Sequence, residues 1–168
     1  MKSGVPKVTA FISEKAHRLF HGRFSPRGNA FDGEGARLQG GRWSSIGTRI
    51  VYTAGSESLA ILEILVHLQE TAFLSSYVIF QLDFSDTLVQ ELDPASLSSN
   101  WRVSPAPPAT LAIGDDWIRN SSSAVLRVPS VIVPSECNFL INPAHREFAS
   151  ITIGSPNPLD VDHRLLRK

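Results

Sequence analysis

Cysteine is almost missing from this chain. Cys137 stands alone, so no intrachain disulfide can form and no Cys-x-x-Cys redox or zinc pair exists. That scarcity fits a reducing compartment. Charge of one sign is missing as well: 16 Lys and Arg balance 16 Asp and Glu. A dedicated nucleic-acid binder would carry a basic excess or a basic face, so that class loses weight. Long apolar runs are absent too, and no stretch nears the ~18 residues a membrane helix needs. Ser13, Glu14 and Lys15 interrupt the N-terminal segment, so no signal peptide is expected and the expected location is the cytoplasm. Phosphate-cradling motifs are also missing. Gly33-Glu34-Gly35-Ala36-Arg37-Leu38 is not GxGxxG, no GxxxxGK[ST] occurs, and no GxSxG frames Ser130.

What remains describes one globular unit. The 168 residues suit a single domain, 1–168, with one core, and 42% hydrophobic with 19% charged residues argues against disorder. Residues 7–12 and Thr48–Thr53 are expected strands, the latter β-branched and aromatic. Between them, residues 22–48 are rich in Gly, Arg and Ser and are expected to be a long loop. Ser56 or Ser58 caps a helix running to about Leu68, apolar on nearly every side and so expected to be buried. Tyr77–Phe84 is a further strand, and Thr87–Leu92 extends or follows it. A helix is expected within Pro107–Ser122, then short strands at Val131–Val133, Asn138–Asn142 and Phe148–Ile153, then a tail over 154–168. Short strands, few helices and no βαβ alternation imply an α+β fold.

Glu63 is the most informative residue. A carboxylate inside an apolar helix needs a partner or an open site, so it is half of a structural ion pair, part of a helix face that reaches water, or a reacting group. His67 lies one turn on, but E-x-x-x-H is not a zinc motif, and no metal site is expected. Gly40-Gly41-Arg42-Trp43 permits close backbone approach and offers a guanidinium fork for a phosphate, or is merely a tight turn with a surface Arg. Tyr52 is a core aromatic or a stacking platform. Ser130 and His145 read as structural when taken alone, and nothing marks Cys137 as activated.

Taken in order, these pieces resemble the RES family, named for its Arg, Glu and Ser. The series runs from Phe31-Asp32-Gly33-Glu34-Gly35-Ala36 through Gly40-Gly41-Arg42-Trp43, Gly47-Thr48 and Val51-Tyr52-Thr53-Ala54. It continues with the helix Ser58 to His67, then Ile113-Gly114-Asp115-Asp116-Trp117 and Val128-Pro129-Ser130. Asn138, Phe139-Leu140-Ile141-Asn142-Pro143 and His145 close it, and the likeness spans roughly residues 17–165. Two departures stand out: Ser44 replaces the usual Asn after the Trp, and His17 replaces an aromatic residue before Arg18.

The resemblance implies a compact single domain similar to the ADP-ribosyltransferase fold, with short, mostly antiparallel strands around a cleft for NAD+. It implies the toxin of a type II toxin–antitoxin pair, one that depletes NAD+ by breaking the nicotinamide–ribose bond. The enzyme would be an NAD+ glycohydrolase or an NAD+ phosphorylase. NAD+ would be the substrate, with inorganic phosphate as possible co-substrate and no resident cofactor. The implied partner is a helix-turn-helix, Xre-like antitoxin, with homodimerisation inside the complex and no nucleic acid or membrane bound directly. By motif position the catalytic set is Glu63, Arg42, Tyr52 and Ser130, and Arg18 joins Arg42, Tyr52 and Ser130 in binding NAD+. Glu63 would stabilise an oxocarbenium-like state and Arg42 would hold the pyrophosphate. The alternatives are an ADP-ribosyltransferase acting on a macromolecule and a non-catalytic NAD-cleft binding module.

Overall fold

The computed structural model of the chain describes residues 7–13, 30–67 and 77–166. Arg18, its neighbour His17 and residues 22–28 lie outside the described residues, as does the side chain of His67. Among the described residues eleven α-helices and strands follow in order. They are β1 (Lys7–Ser13), α1 (Glu34–Gln39), β2 (Val51–Ala54), α2 (Glu57–His67), β3 (Val78–Asp83), β4 (Val89–Glu91), α3 (Pro108–Asn120), β5 (Val125–Pro129), β6 (Cys137–Ile141), β7 (Thr152–Ile153) and β8 (Asn157–Pro158).

The strands make two sheets, and the fold is α+β. In the first, β3 pairs antiparallel with β1, β7 and β8; in the second the order is β2-β6-β5-β4. Among the described residues only β4 and β5 run parallel. The main core joins the two sheets: Val78, Phe80 and Leu82 from β3 cluster with Val51, Val125 and Ile141 from the second sheet. Alternate residues of the second sheet face the other way. Leu126, Val128 and Leu140 pack with Trp43, Ile50 and Trp117, which brings α3 onto the outer face. The second sheet is therefore buried on both faces, which is why β5 and β6 read as apolar runs rather than alternating ones. Each fully buried Leu or Phe here contributes about 1.5–3 kcal/mol.

Five sequence expectations need correction. Residues 34–39 form a helix inside the expected loop, capped by Gly33 and Gly40 at positive φ and braced by Glu34 and Arg37 at 2.5 Å. The helix α2 is not buried all round: Leu62 is 40% exposed and Val66 63%. Val131–Val133 is a turn rather than a strand, because the amides of Ile132 and Val133 donate to Ser130 Oγ and are lost to any ladder. The segment after Gly154 is more than a tail: Asn157 and Pro158 pair with β3, and Leu159 is buried. The late strand also shrinks to Thr152–Ile153, preceded by a 3-10 turn at Phe148–Ser150.

Candidate active site

At one end of the second sheet, β2 finishes, β6 begins and β5 finishes; Ala54 faces Asn138, and Asn138 faces Val128. The chain leaves β2 directly into α2. Ser56 starts that helix by accepting from Leu59 N at 3.1 Å while donating to Glu136 at 2.9 Å. Two turns on, α2 brings the half-buried Glu63 over the sheet end.

Ser130 follows β5 and is fully buried. Its hydroxyl oxygen accepts from Ile132 N and Val133 N, each at 3.1 Å. A hydroxyl has two lone pairs and one proton. With both lone pairs engaged, only the proton is left, and it goes to Glu63 Oε1 at 3.2 Å. Asn138 Nδ2 donates to the same oxygen at 2.6 Å. Two neutral donors thus grip one carboxylate oxygen. Among the described residues nothing donates to Oε2. Glu63 has no cationic partner within ion-pair distance among the described residues.

Asn138 is the residue that sequence reasoning passed over. Its signal is a buried-side amide inside the apolar strand Cys137-Asn138-Phe139-Leu140-Ile141. Its Oδ1 is buried with no hydrogen-bond partner, a cost retained while Nδ2 holds Glu63.

Arg42 sits in the turn after α1, where Gly41 N donates to Ser44 O at 2.9 Å. Tyr52 braces that turn from β2: its hydroxyl accepts from Trp43 N at 3.1 Å and shares a hydrogen with Ser44 Oγ at 2.9 Å. Burial pushes the Tyr52 phenol above its ordinary range, against the pull of those bonds. Ser44, the departure from the family pattern, is therefore itself a buried partner of Tyr52. Arg42 Nη1 donates to Trp101 O at 2.8 Å and Val103 O at 3.1 Å. Burial lowers the Arg42 pKa, and the negative charge of Glu63 opposes that shift. Asp115 on α3 holds the far side of the turn, accepting from Ser45 N at 3.0 Å and Thr48 Oγ1 at 2.7 Å. His145 serves the turn after β6, where its Nδ1 accepts from Glu147 N at 3.1 Å.

So the structure brings Glu63 and Ser130 into contact, adds Asn138, and sets Arg42 within electrostatic reach on a turn fastened by Tyr52. A Cβ on Gly41 would stand 2.4 Å from the Tyr52 hydroxyl oxygen and 2.6 Å from Cζ. Gly41→Ala is therefore expected to push Tyr52 off Trp43 N and cost about 1–3 kcal/mol, seen as a lower thermal midpoint. An unchanged midpoint would show that the ring has room to move.

Residues 12–162 match the RES domain family. A "Toxin Res" of Yersinia enterocolitica is 42% identical over 131 residues, covering 78% of this chain and 86% of the relative. A "Prs ADP-ribosylating toxin" of a Sphingobium strain is 36% identical over 139 residues, covering 81% of this chain and 86% of the relative. A chain in the crystal structure of the M. tuberculosis MbcT–MbcA toxin–antitoxin complex shares the fold, with TM-score 0.69 at 17% identity over 92% of this chain and 85% of that one. With the match running over nearly the whole length, the chain belongs to the RES domain family.

Proposed function

We propose that this protein is the toxin of a toxin–antitoxin pair and cleaves NAD+ at the nicotinamide–ribose bond. The observation that carries this reading is the Glu63 carboxylate, with Oε1 held by Ser130 and Asn138 and no donor on Oε2 among the described residues. As the C–N bond breaks, nicotinamide leaves with the electron pair and the ribose C1′ gains positive charge. A carboxylate fixed in advance stabilises that charge without reorganising. The oxygen of water or phosphate then bonds to C1′, and an attacking water gives up one proton to the solvent. Arg42 supplies a cation for the diphosphate. The names of the Yersinia relative and of the M. tuberculosis complex support the toxin role and an antitoxin partner, for which an Xre-like helix-turn-helix protein is the expected type.

The name of the Sphingobium relative favours a second reading, transfer of ADP-ribose to a macromolecule. Incubation with NAD+ labelled in the adenosine half separates the two. Free ADP-ribose, or its 1″-phosphate when phosphate is added, supports cleavage and names the acceptor. Label retained on protein or nucleic acid supports transfer. Absence of nicotinamide release under every condition would overturn both and leave a binding module.

A further inference from the structure

Arg102 has no place in the reading above. It lies in the loop between the 3-10 turn at Pro94–Ser96 and α3. Its two neighbours, Trp101 and Val103, supply the carbonyls that hold Arg42 Nη1. One arginine thus spans residue 102, and residue 102 is itself an arginine. Arg102 Nη2 donates to Val131 O at 2.9 Å, in the turn whose amides hold Ser130. Hydrogen bonds therefore connect Arg42, the 101–103 loop, Arg102, the 130–133 turn and Glu63.

The charges along this path do not cancel. Arg37, Arg49, Arg119, Arg127 and Arg164 each pair with a carboxylate. Arg42 and Arg102, like Arg146, have no carboxylate partner among the described residues, and the Arg102 charge works against a charge on Arg42. The negative charge of Glu63 favours the charged form of Arg42. An anion that joined these two cations would relieve their repulsion.

Donor accounting says where that anion sits. A guanidinium has five N–H groups. Arg42 Nη1 spends its two on carbonyls, so Nε and Nη2 remain, and these form the edge that takes two oxygens at once. Arg102 spends one on Val131 and keeps the rest. We propose that Arg102 and Arg42 form a seat for a phosphoryl group beside Glu63. The phosphoryl source rests on the NAD+ reading: it is the diphosphate of the dinucleotide or a free inorganic phosphate that accepts the ribosyl group.

The test is equilibrium binding of ADP-ribose, adenosine and inorganic phosphate to wild type, Arg102→Gln and Arg102→Lys. ADP-ribose keeps the diphosphate and has no nicotinamide bond to cleave, so the measurement stands apart from turnover. Arg102→Gln is expected to weaken ADP-ribose about tenfold or more, with Arg102→Lys in between and adenosine unchanged. That outcome gives the seat to the diphosphate. Loss of inorganic phosphate binding with ADP-ribose intact gives it to the acceptor. If neither ligand is weakened by Arg102→Gln, or if adenosine weakens equally, the seat is overturned. Should wild type release no nicotinamide while these binding differences persist, the NAD+ reading fails and the seat survives. The side chain is exposed, so both variants are expected to melt as wild type does.

Discussion

Glu63→Gln is expected to slow nicotinamide release about a hundredfold or more while dinucleotide affinity changes by less than about threefold. The glutamine keeps an oxygen that can accept from Ser130 Oγ and Asn138 Nδ2, so the local bonding survives. What disappears is the negative charge, and it matters most when C1′ becomes positive. Ground-state binding leans instead on the arginines. The check is a pair of measurements, the single-turnover rate and the equilibrium Kd, on protein whose melting curve matches wild type. Equal losses in rate and affinity would make Glu63 a substrate-holding group. An undiminished rate would remove it from the chemistry altogether.

The sequence showed more of this site than of its wiring. Glu63 stood out because a carboxylate in an apolar helix demands an explanation, and the local capping of α2 by Ser56 was legible from neighbouring residues. The strand at Val78–Asp83 and the helix at Pro108–Asn120 were likewise legible, since their patterns are local. Partnerships across the chain were not. Asn138 lies 75 residues from Glu63 and Arg102 lies 29 residues from Val131, and no spacing rule joins them. The run Val131-Ile132-Val133 misled for a related reason. Its β-branched side chains favour a strand, yet the hydroxyl of Ser130 takes two of its amides. The short helix Glu34–Gln39 hid behind its glycines, which end it and cap it rather than forbid it. Residues 157–158 join β3 only because the fold brings a distant edge to them.

The largest expected loss of stability comes from a residue that touches no ligand. Gly114 lies inside α3, where alanine would ordinarily gain up to about 1 kcal/mol in helix propensity. Here a Cβ would fall 1.9 Å from the carbonyl oxygen of Trp43 and 3.3 Å from Ile50 Cδ1. The obstacle is backbone, and that backbone is pinned. Trp43 N is bonded to Tyr52, the Trp43 ring is buried against the second sheet, and Asp115, next to Gly114, holds Ser45 and Thr48. Neither side can yield without breaking several contacts. Gly114→Ala is therefore expected to cost about 3 kcal/mol net of propensity, lowering the thermal midpoint by roughly 6–12 °C. Turnover should fall as well, because the turn forced aside is the one that carries Arg42. Gly35→Ala is the control: it also lies in a helix, but its Cβ would meet nothing within 4 Å, so it should leave the midpoint unchanged or raise it. If Gly114→Ala melted like Gly35→Ala, α3 could not be seated this closely on the Arg42 turn, and the packing that aims Arg42 at the site would need another origin.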